Sequence, residues 1–356
     1  MHSQAALHAA GDFRHMTVPA SSLSRLRVFS GTAHRTLGKS IAQHLGLPIG
    51  QIAISRFSDG EIGVQYEENI RGHDVFIVQP TNPPADNLME LLIMIDAAKR
   101  ASAKRITAVI PYYGYARQDR KDAPRVPITS RMVADLLEAA GAQRILTMDL
   151  HAPQIQGFFN IPFDHLFASR LFVDLLSAHP IENLVTVAPD VGSTRLARFY
   201  ANFLNTDFAV VDKHRTSPNK AVAMNLIGDV RGKNCLIVDD IVDTGGTFAA
   251  TCSMLKDRGG LDIYAAITHP VLSGKAVERI EASEVKCLWV CDTLPTPKEH
   301  LFHKIRRLST AKLFAEAIRR IHIDESISHL FLERPGTGSG ETLLDVSDVE
   351  LPDPPR

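Results

Sequence analysis

The chain repeats itself weakly, with two similar ten-residue stretches 160 positions apart (231 − 71). Arg71-Gly72-His73-Asp74-Val75-Phe76-Ile77-Val78-Gln79-Pro80 lines up with Arg231-Gly232-Lys233-Asn234-Cys235-Leu236-Ile237-Val238-Asp239-Asp240. Close to that separation, at 159, Leu37, Ala42, Leu45 and Pro111 find counterparts in Leu196, Ala201, Leu204 and Pro270. A long-period echo of this kind predicts two copies of one folding unit, with chance similarity between two parallel-sheet units as the plain alternative. The copies differ at one place that matters. The first ends its string on Gln79-Pro80, the second on Asp239-Asp240.

Each copy alternates apolar runs with amphipathic stretches. Val75–Val78, Ile106–Ile110, Ile145–Met148, Leu184–Val187, Leu236–Val238 and Ile263–Ile267 are apolar along most of their length. Continuous apolarity, rather than alternation, marks strands buried on both faces, as in parallel sheets covered by helices. Leu88–Ala103 and Thr247–Arg258 have helical patterns, the second stopped by Gly259-Gly260. The expected fold is α/β, with two tandem domains of mostly parallel sheet flanked by helices. The expected division is 25–167 and 168–304, then a helical segment over 305–333. Polar residues 1–24 and the Gly-, Pro- and acid-rich residues 334–356 are expected to be disordered tails.

Bulk properties narrow the function classes. The 356 residues carry a net charge of −1, so nothing global favours nucleic acid or an anionic membrane. The most apolar helical stretch, Leu88–Ala98, contains Glu90 and Asp96 and is too short for a membrane span. The N-terminus has no charged segment followed by an apolar one, so no secretion signal is read. Cys235, Cys252, Cys287 and Cys291 lack metal-ligand spacing and read as reduced thiols in a cytoplasmic protein.

The most informative stretch is 238–247, Val-Asp-Asp-Ile-Val-Asp-Thr-Gly-Gly-Thr. It joins the strand Leu236–Val238 to the helix that begins at Thr247, at the sheet edge where such folds bind ligands. Thr244, Gly245, Gly246 and Thr247 can offer N–H groups and hydroxyls to a phosphate at the helix N-terminus. Asp239 and Asp240, one step back, can accept from sugar hydroxyls or face a divalent cation, with Asp243 between. A ligand with a phosphate at one end and a diol at the other suits both halves of the motif, and ribose 5-phosphate is such a ligand. A solvated acidic turn is the plain alternative.

The stretch resembles the fingerprint shared by type I phosphoribosyltransferases and ribose-phosphate diphosphokinases. Further segments point to the diphosphokinases. Residues 56–62, Arg-Phe-Ser-Asp-Gly-Glu-Ile, resemble the family's first ATP segment, although Ser-Asp-Gly-Glu alone is more often a turn. Residues 111–121, Pro-Tyr-Tyr-Gly-Tyr-Ala-Arg-Gln-Asp-Arg-Lys, resemble the second. Arg120, Lys121 and Arg125 make that loop basic, as a polyphosphate requires. Asp149-Leu150-His151-Ala152 and Ala188-Pro189-Asp190 resemble the metal segments. Val211-Asp212-Lys213-His214-Arg215 resembles the start of the catalytic loop. The resemblance runs from about Arg25 to Phe331.

That resemblance implies two phosphoribosyltransferase-like domains and transfer of a diphosphoryl group from ATP to ribose 5-phosphate, feeding nucleotide, histidine and tryptophan synthesis. It implies Phe57, Asp59, Gly60, Glu61, Arg117 and Gln118 for ATP, and His151 and Asp190 for Mg²⁺. Lys213 and Arg215 would be catalytic, with Arg215, Asp239, Asp240, Asp243, Thr244, Gly245, Gly246 and Thr247 on the sugar phosphate. It also implies a homo-oligomer, a hexamer built from dimers, with ATP across a subunit boundary. A phosphoribosyltransferase would not need 56–61 and 112–121. A non-catalytic associated subunit would not need Lys213, Arg215, His151 and Asp190 intact. A nucleic-acid-binding role has only the one basic loop in its favour. The chain departs from the pattern at Gly192-Ser193-Thr194, where two glycines are usual, and in Gln79–Asn87, a loop that in the family helps build a regulatory anion site. Phosphate activation and ADP inhibition therefore do not follow from the resemblance.

Overall fold

The computed structural model describes residues 23–214, 223–295, 303–328 and 330. The expected tails lie almost wholly outside them, as do Arg215 and the Thr216–Lys220 loop.

In the first half the order is β1 (Leu26–Ser30), α1 (Arg35–His44), β2 (Ile52–Arg56), β3 (Ile62–Tyr66), β4 (Asp74–Val78), α2 (Asp86–Arg100), β5 (Arg105–Ile110), α3 (Thr129–Ala140), β6 (Arg144–Met148) and β7 (Phe163–Leu166). After α4 (Ser169–Ala178) the second half follows: β8 (Leu184–Ala188), α5 (Thr194–Leu204), β9 (Asp207–His214), β10 (Ala223–Ile227), β11 (Asn234–Val242), α6 (Gly246–Asp257), β12 (Ile263–Pro270), α7 (Ala276–Ala282), β13 (Val285–Cys291), β14 (Ile305–Leu308) and α8 (Ala311–His322).

The repeat is real at the level of topology. One sheet runs β1-β4-β5-β6-β7, all parallel, and the other runs β8-β11-β12-β13-β14 in the same order. Each half places a hairpin between its first two sheet strands. In the second half that hairpin extends the sheet, β9 parallel to β8 and β10 antiparallel to β9. In the first half β2 and β3 pair only with each other and leave the sheet.

Burial explains the layers. β4 and β12 are buried at every residue, as strands covered on both faces must be. The two sheets share one apolar core between them, in which Leu37 and Ile41 of α1, Phe172 of α4, Tyr200 of α5 and Phe314 and Ile318 of α8 meet side chains from both sheets. α2 and α3 cover the outer face of the first sheet, and α6 and α7 that of the second. The result is five layers, helix–sheet–helix–sheet–helix, with a middle helical layer common to both halves.

Three expectations need correction. The strand read as Leu236–Val238 continues to Val242, because Asp239, Ile241 and Val242 keep their register with β12 through Pro270. Lys213 and His214, read as the start of a loop, belong to β9, with β10 outside it. Residues 305–308, read as part of a helical segment, form β14. Ile305–Leu308 pair in parallel with Leu288–Cys291 of β13, and Ile305 and Leu308 are buried. All four cysteines are buried free thiols, and burial pushes Cys235 to about 11 and Cys252 and Cys287 to about 12.

Candidate active site

β11 outruns its neighbour β8, and this builds the site. The parallel ladder between them ends at Ile237 and Val187. Beyond that point the loop after β8 lies beside the last turns of β11. Asp190 in this loop accepts from the Ser193 backbone N–H at 3.1 Å and faces the Ser193 hydroxyl at 3.3 Å. The same hydroxyl donates to Asp239 Oδ1 at 2.7 Å, and the Asp240 N–H donates to that oxygen at 3.0 Å. Asp240 continues the chain, its carboxyl close to that of Asp239. Its Oδ2 lies 2.8 Å from His151 Nδ1, on the first half. A continuous chain therefore runs Asp190–Ser193–Asp239–Asp240–His151 across the seam.

The electrostatics of the two aspartates diverge. Burial, then the negative charges of Asp240 and Asp190, push Asp239 well above the usual carboxylate range despite the Ser193 hydrogen bond. Burial also opposes charge on Asp240, but the hydrogen bond and charge of His151 prevail and hold it low. His151 in turn is raised by its bond to Asp240.

The glycine loop is braced from both sides. Gly245 sits at φ +73°, before the first turn of α6. A side chain there would bring Cβ to 3.0 Å from the Ala276 carbonyl, so both conformation and space select glycine. Arg279 of α7 donates to the Thr244 carbonyl at 2.7 Å. Asp243 accepts from the Ser273 hydroxyl and, at 2.6 Å, from Arg117 Nη1. Burial works against its charge, yet Ser273 and Arg117 hold it below the usual range. The first N–H groups of a helix have no acceptor within it, and Thr244, Gly246 and Thr247 are exposed. The loop is thus a stiff, open cradle for an anion. Asp243 reads as its brace.

The seam beneath is polar and tightly matched. Asp149, at φ +35°, accepts from the Thr268 hydroxyl at 2.6 Å and the Ala168 N–H at 3.1 Å. Burial pushes its carboxyl to about 6. His269 Nε2 faces the carbonyls of Met148 and Asp149, and Nδ1 faces the Thr293 hydroxyl at 2.8 Å. Carbonyls only accept, so Nε2 carries the proton and Nδ1 accepts from Thr293. Burial lowers the His269 pKa and keeps the ring neutral. Tyr112 meets that ring edge-on at 5.1 Å. Tyr112, Arg117, His151, Asp240 and His269 together line a narrow cleft between the halves.

The segments expected to hold ATP separate into two places. Arg117 reaches the glycine loop through Asp243. Gln118 uses its side-chain oxygen to receive the Thr129 hydroxyl at the start of α3. The other segment is the tip of the β2–β3 hairpin. Asp59 Oδ1 accepts from the Glu61 N–H at 3.1 Å, Gly60 stands at φ +95°, and Arg56 bonds both the Gly60 carbonyl and Asp86. Phe57 is 63 % exposed. Among the described residues, no hydrogen bond or ring contact joins this tip to Arg117 or Gln118.

Lys213 has its backbone in register with Met224. Its side chain, like Arg215, lies outside what is described. Among the described residues, no trio of His, Cys, Asp or Glu converges as a preformed metal cage. Mg²⁺ is typically held by one or two carboxylates together with substrate phosphates, so the donor set at Asp190, Asp239, Asp240 and His151 fits it without such a cage. Sequence reasoning missed Arg279, which no motif flags. It noted Ser193 only as a departure from pattern.

Comparison with known proteins finds relatives over most of the chain. A model of the N-terminal domain of ribose phosphate pyrophosphokinase matches residues 26–141, and a model of the phosphoribosyl synthetase-associated domain matches residues 213–332. The ribose-phosphate pyrophosphokinase of Chlorobaculum tepidum is 57% identical over 308 residues, which cover 86% of this chain and 95% of that one. That of Wolinella succinogenes is 52% identical, with 86% and 99% covered. The phosphoribosylpyrophosphate synthetase structure from Mycobacterium smegmatis superposes with a TM-score of 0.80 at 41% identity, covering 84% of this chain and 99% of that one. With near-complete coverage by such relatives and a shared two-sheet architecture, the chain belongs to the ribose-phosphate pyrophosphokinase family.

Proposed function

We propose that the chain transfers the β,γ-diphosphoryl group of ATP to the 1-hydroxyl of ribose 5-phosphate, giving 5-phosphoribosyl 1-diphosphate and AMP. The observation that carries this reading is the union, at one strand end, of an open anion cradle with two orientated aspartates. The N–H groups and hydroxyls of residues 244–247 hold the 5-phosphate. Asp239 and Asp240 accept from ribose hydroxyls and fix the sugar, so that the 1-hydroxyl faces the β-phosphorus. Positioning of this kind supplies much of a phosphoryl-transfer enzyme's acceleration. Lys213 and Arg215 neutralise charge on the transferring group. Asp190, Asp239, Asp240 and His151 are the groups that would hold Mg²⁺, which when bound supplies further neutralisation of the polyphosphate charge.

Arg117, Gln118 and the tip residues Phe57, Asp59, Gly60 and Glu61 hold the nucleotide. Phe57 finds no ring partner among the described residues, which supports a site completed by a second copy and hence a homo-oligomer, read as a hexamer. No helix of the described residues is long and apolar enough to cross a membrane, and we place the enzyme in the cytoplasm.

The test follows AMP and the diphosphorylated sugar together, with purified protein, MgATP and ribose 5-phosphate. Equal amounts of both products are expected. AMP without the sugar product would replace this reading with simple ATP hydrolysis, and no AMP at all would favour a non-catalytic associated subunit.

A further inference from the structure

We propose that Ser193 is a positioning residue that fixes the Asp239 carboxylate for the sugar by tying it to the Asp190 loop. The inference rests on the sugar-binding role given to Asp239 above.

Ser193 Oγ stands 2.7 Å from Asp239 Oδ1 and 3.3 Å from Asp190 Oδ1. A hydroxyl has one proton to give, and the shorter contact takes it. The Asp240 N–H arrives at the same Asp239 oxygen, at 3.0 Å. Both donors therefore land on Oδ1, which fixes the carboxyl from one side, and neither occupies Oδ2. Ser193 is itself pinned, because its own N–H donates to Asp190 at 3.1 Å.

The first half supports the assignment independently. Position 79 corresponds to 239, and the loop that ends at His34, before α1, corresponds to the loop that ends at Ser193, before α5. There the Ala33 N–H donates to Gln79 Oε1 at 3.1 Å. The same strand-end side chain is anchored from the same loop in both halves, by backbone in one and by hydroxyl in the other. A glycine at 193 could not make the second bond.

Ser193→Ala and Ser193→Thr would be compared with wild type by steady-state kinetics, by calorimetric titration of ribose 5-phosphate and by thermal unfolding. The alanine variant should raise both KM and Kd for ribose 5-phosphate on the order of tenfold, the loss expected for one orienting hydrogen bond. KM for ATP and the unfolding midpoint should stay put. The threonine variant, which keeps the hydroxyl, should restore both constants to within about twofold. An unchanged Kd in Ser193→Ala, an equal rise in both KM values, or failure of threonine to rescue would overturn the inference. Wild type that binds ribose 5-phosphate without turnover would overturn the diphosphokinase reading and leave the Kd ratio to decide this one. Wild type that does not bind it would overturn the inference.

Discussion

The two halves share a strand order and treat the same strand end in opposite ways. In the second half β11 presents Asp239 and Asp240 to an open cradle. In the first half the matching residues are Gln79 and Pro80, and the crevice is filled from within. Glu90 of α2, only 4% exposed, accepts from the Thr32 N–H at 2.6 Å, the Thr32 hydroxyl at 2.7 Å and Gln79 Nε2 at 2.9 Å. The helices begin in register, Asp86 against Gly246, so the counterpart of Glu90 is Ala250. In the first half a helix carboxylate takes the Thr32 donors of the β1–α1 loop, while at the matching position the second half has only the methyl group of Ala250. A satisfied buried network of this sort rigidifies a core. A glycine loop with unused N–H groups binds anions instead. A handful of side chains thus turns one topology into a scaffold in the first case and a site in the second.

The largest effect should come from the cation that the second half adds. Lys213→Ala should lower kcat on the order of 10³-fold with little change in the KM for ribose 5-phosphate, as loss of a charge acting on the transition state does. A matching rise in that KM would mean that Lys213 binds sugar, and the contrast between cradle and catalytic strand would fail.

Asp149 probes the seam where the halves meet. Its folded pKa of about 6 lies above the ordinary carboxylate value of 3.8, so the folded state holds the proton longer. This contribution is complete below about pH 4 and is lost as pH rises through about 6, a fall of about 3 kcal/mol at most. Urea denaturation of Asp149→Asn should show that part of the pH dependence flattened. An unaltered slope would place the titration elsewhere.

Glu90→Ala should separate structure from function in the first half. It leaves the Thr32 and Gln79 donors unsatisfied and should cost about 2 kcal/mol of stability. Ribose 5-phosphate affinity should hold. The smallest effect is expected at Arg117 and Asp243, whose cross-half ion pair is half exposed on the arginine side. Arg117→Ala should change unfolding stability by less than about 1 kcal/mol, while raising the KM for ATP.

The strands and the glycine turn were legible because their signals are local. Val75–Val78 and the run after Asn234 carry their burial on their face, and Gly245 announces a left-handed turn before α6. The long-range pairs were not. Nothing near His151 in sequence indicates that it will meet Asp240, 89 residues away. Arg279 reaches Thr244 from a short helix with no motif of its own. The end of β11 was misplaced for a related reason. Two aspartates look like a turn in sequence, but β12 continues beside them and keeps them in a strand. Glu90 looked like a charge that spoils a membrane span, and it is the plug of the first half.

The central claim is that each chain holds one sugar phosphate, in its second half. Calorimetric titration of ribose 5-phosphate into wild type, Asp239→Asn and Glu90→Ala tests it directly. The account predicts one site per chain, weakened about a hundredfold in Asp239→Asn and kept in Glu90→Ala. Two sites per chain, or binding that survives in Asp239→Asn and is lost in a folded Glu90→Ala, would contradict it.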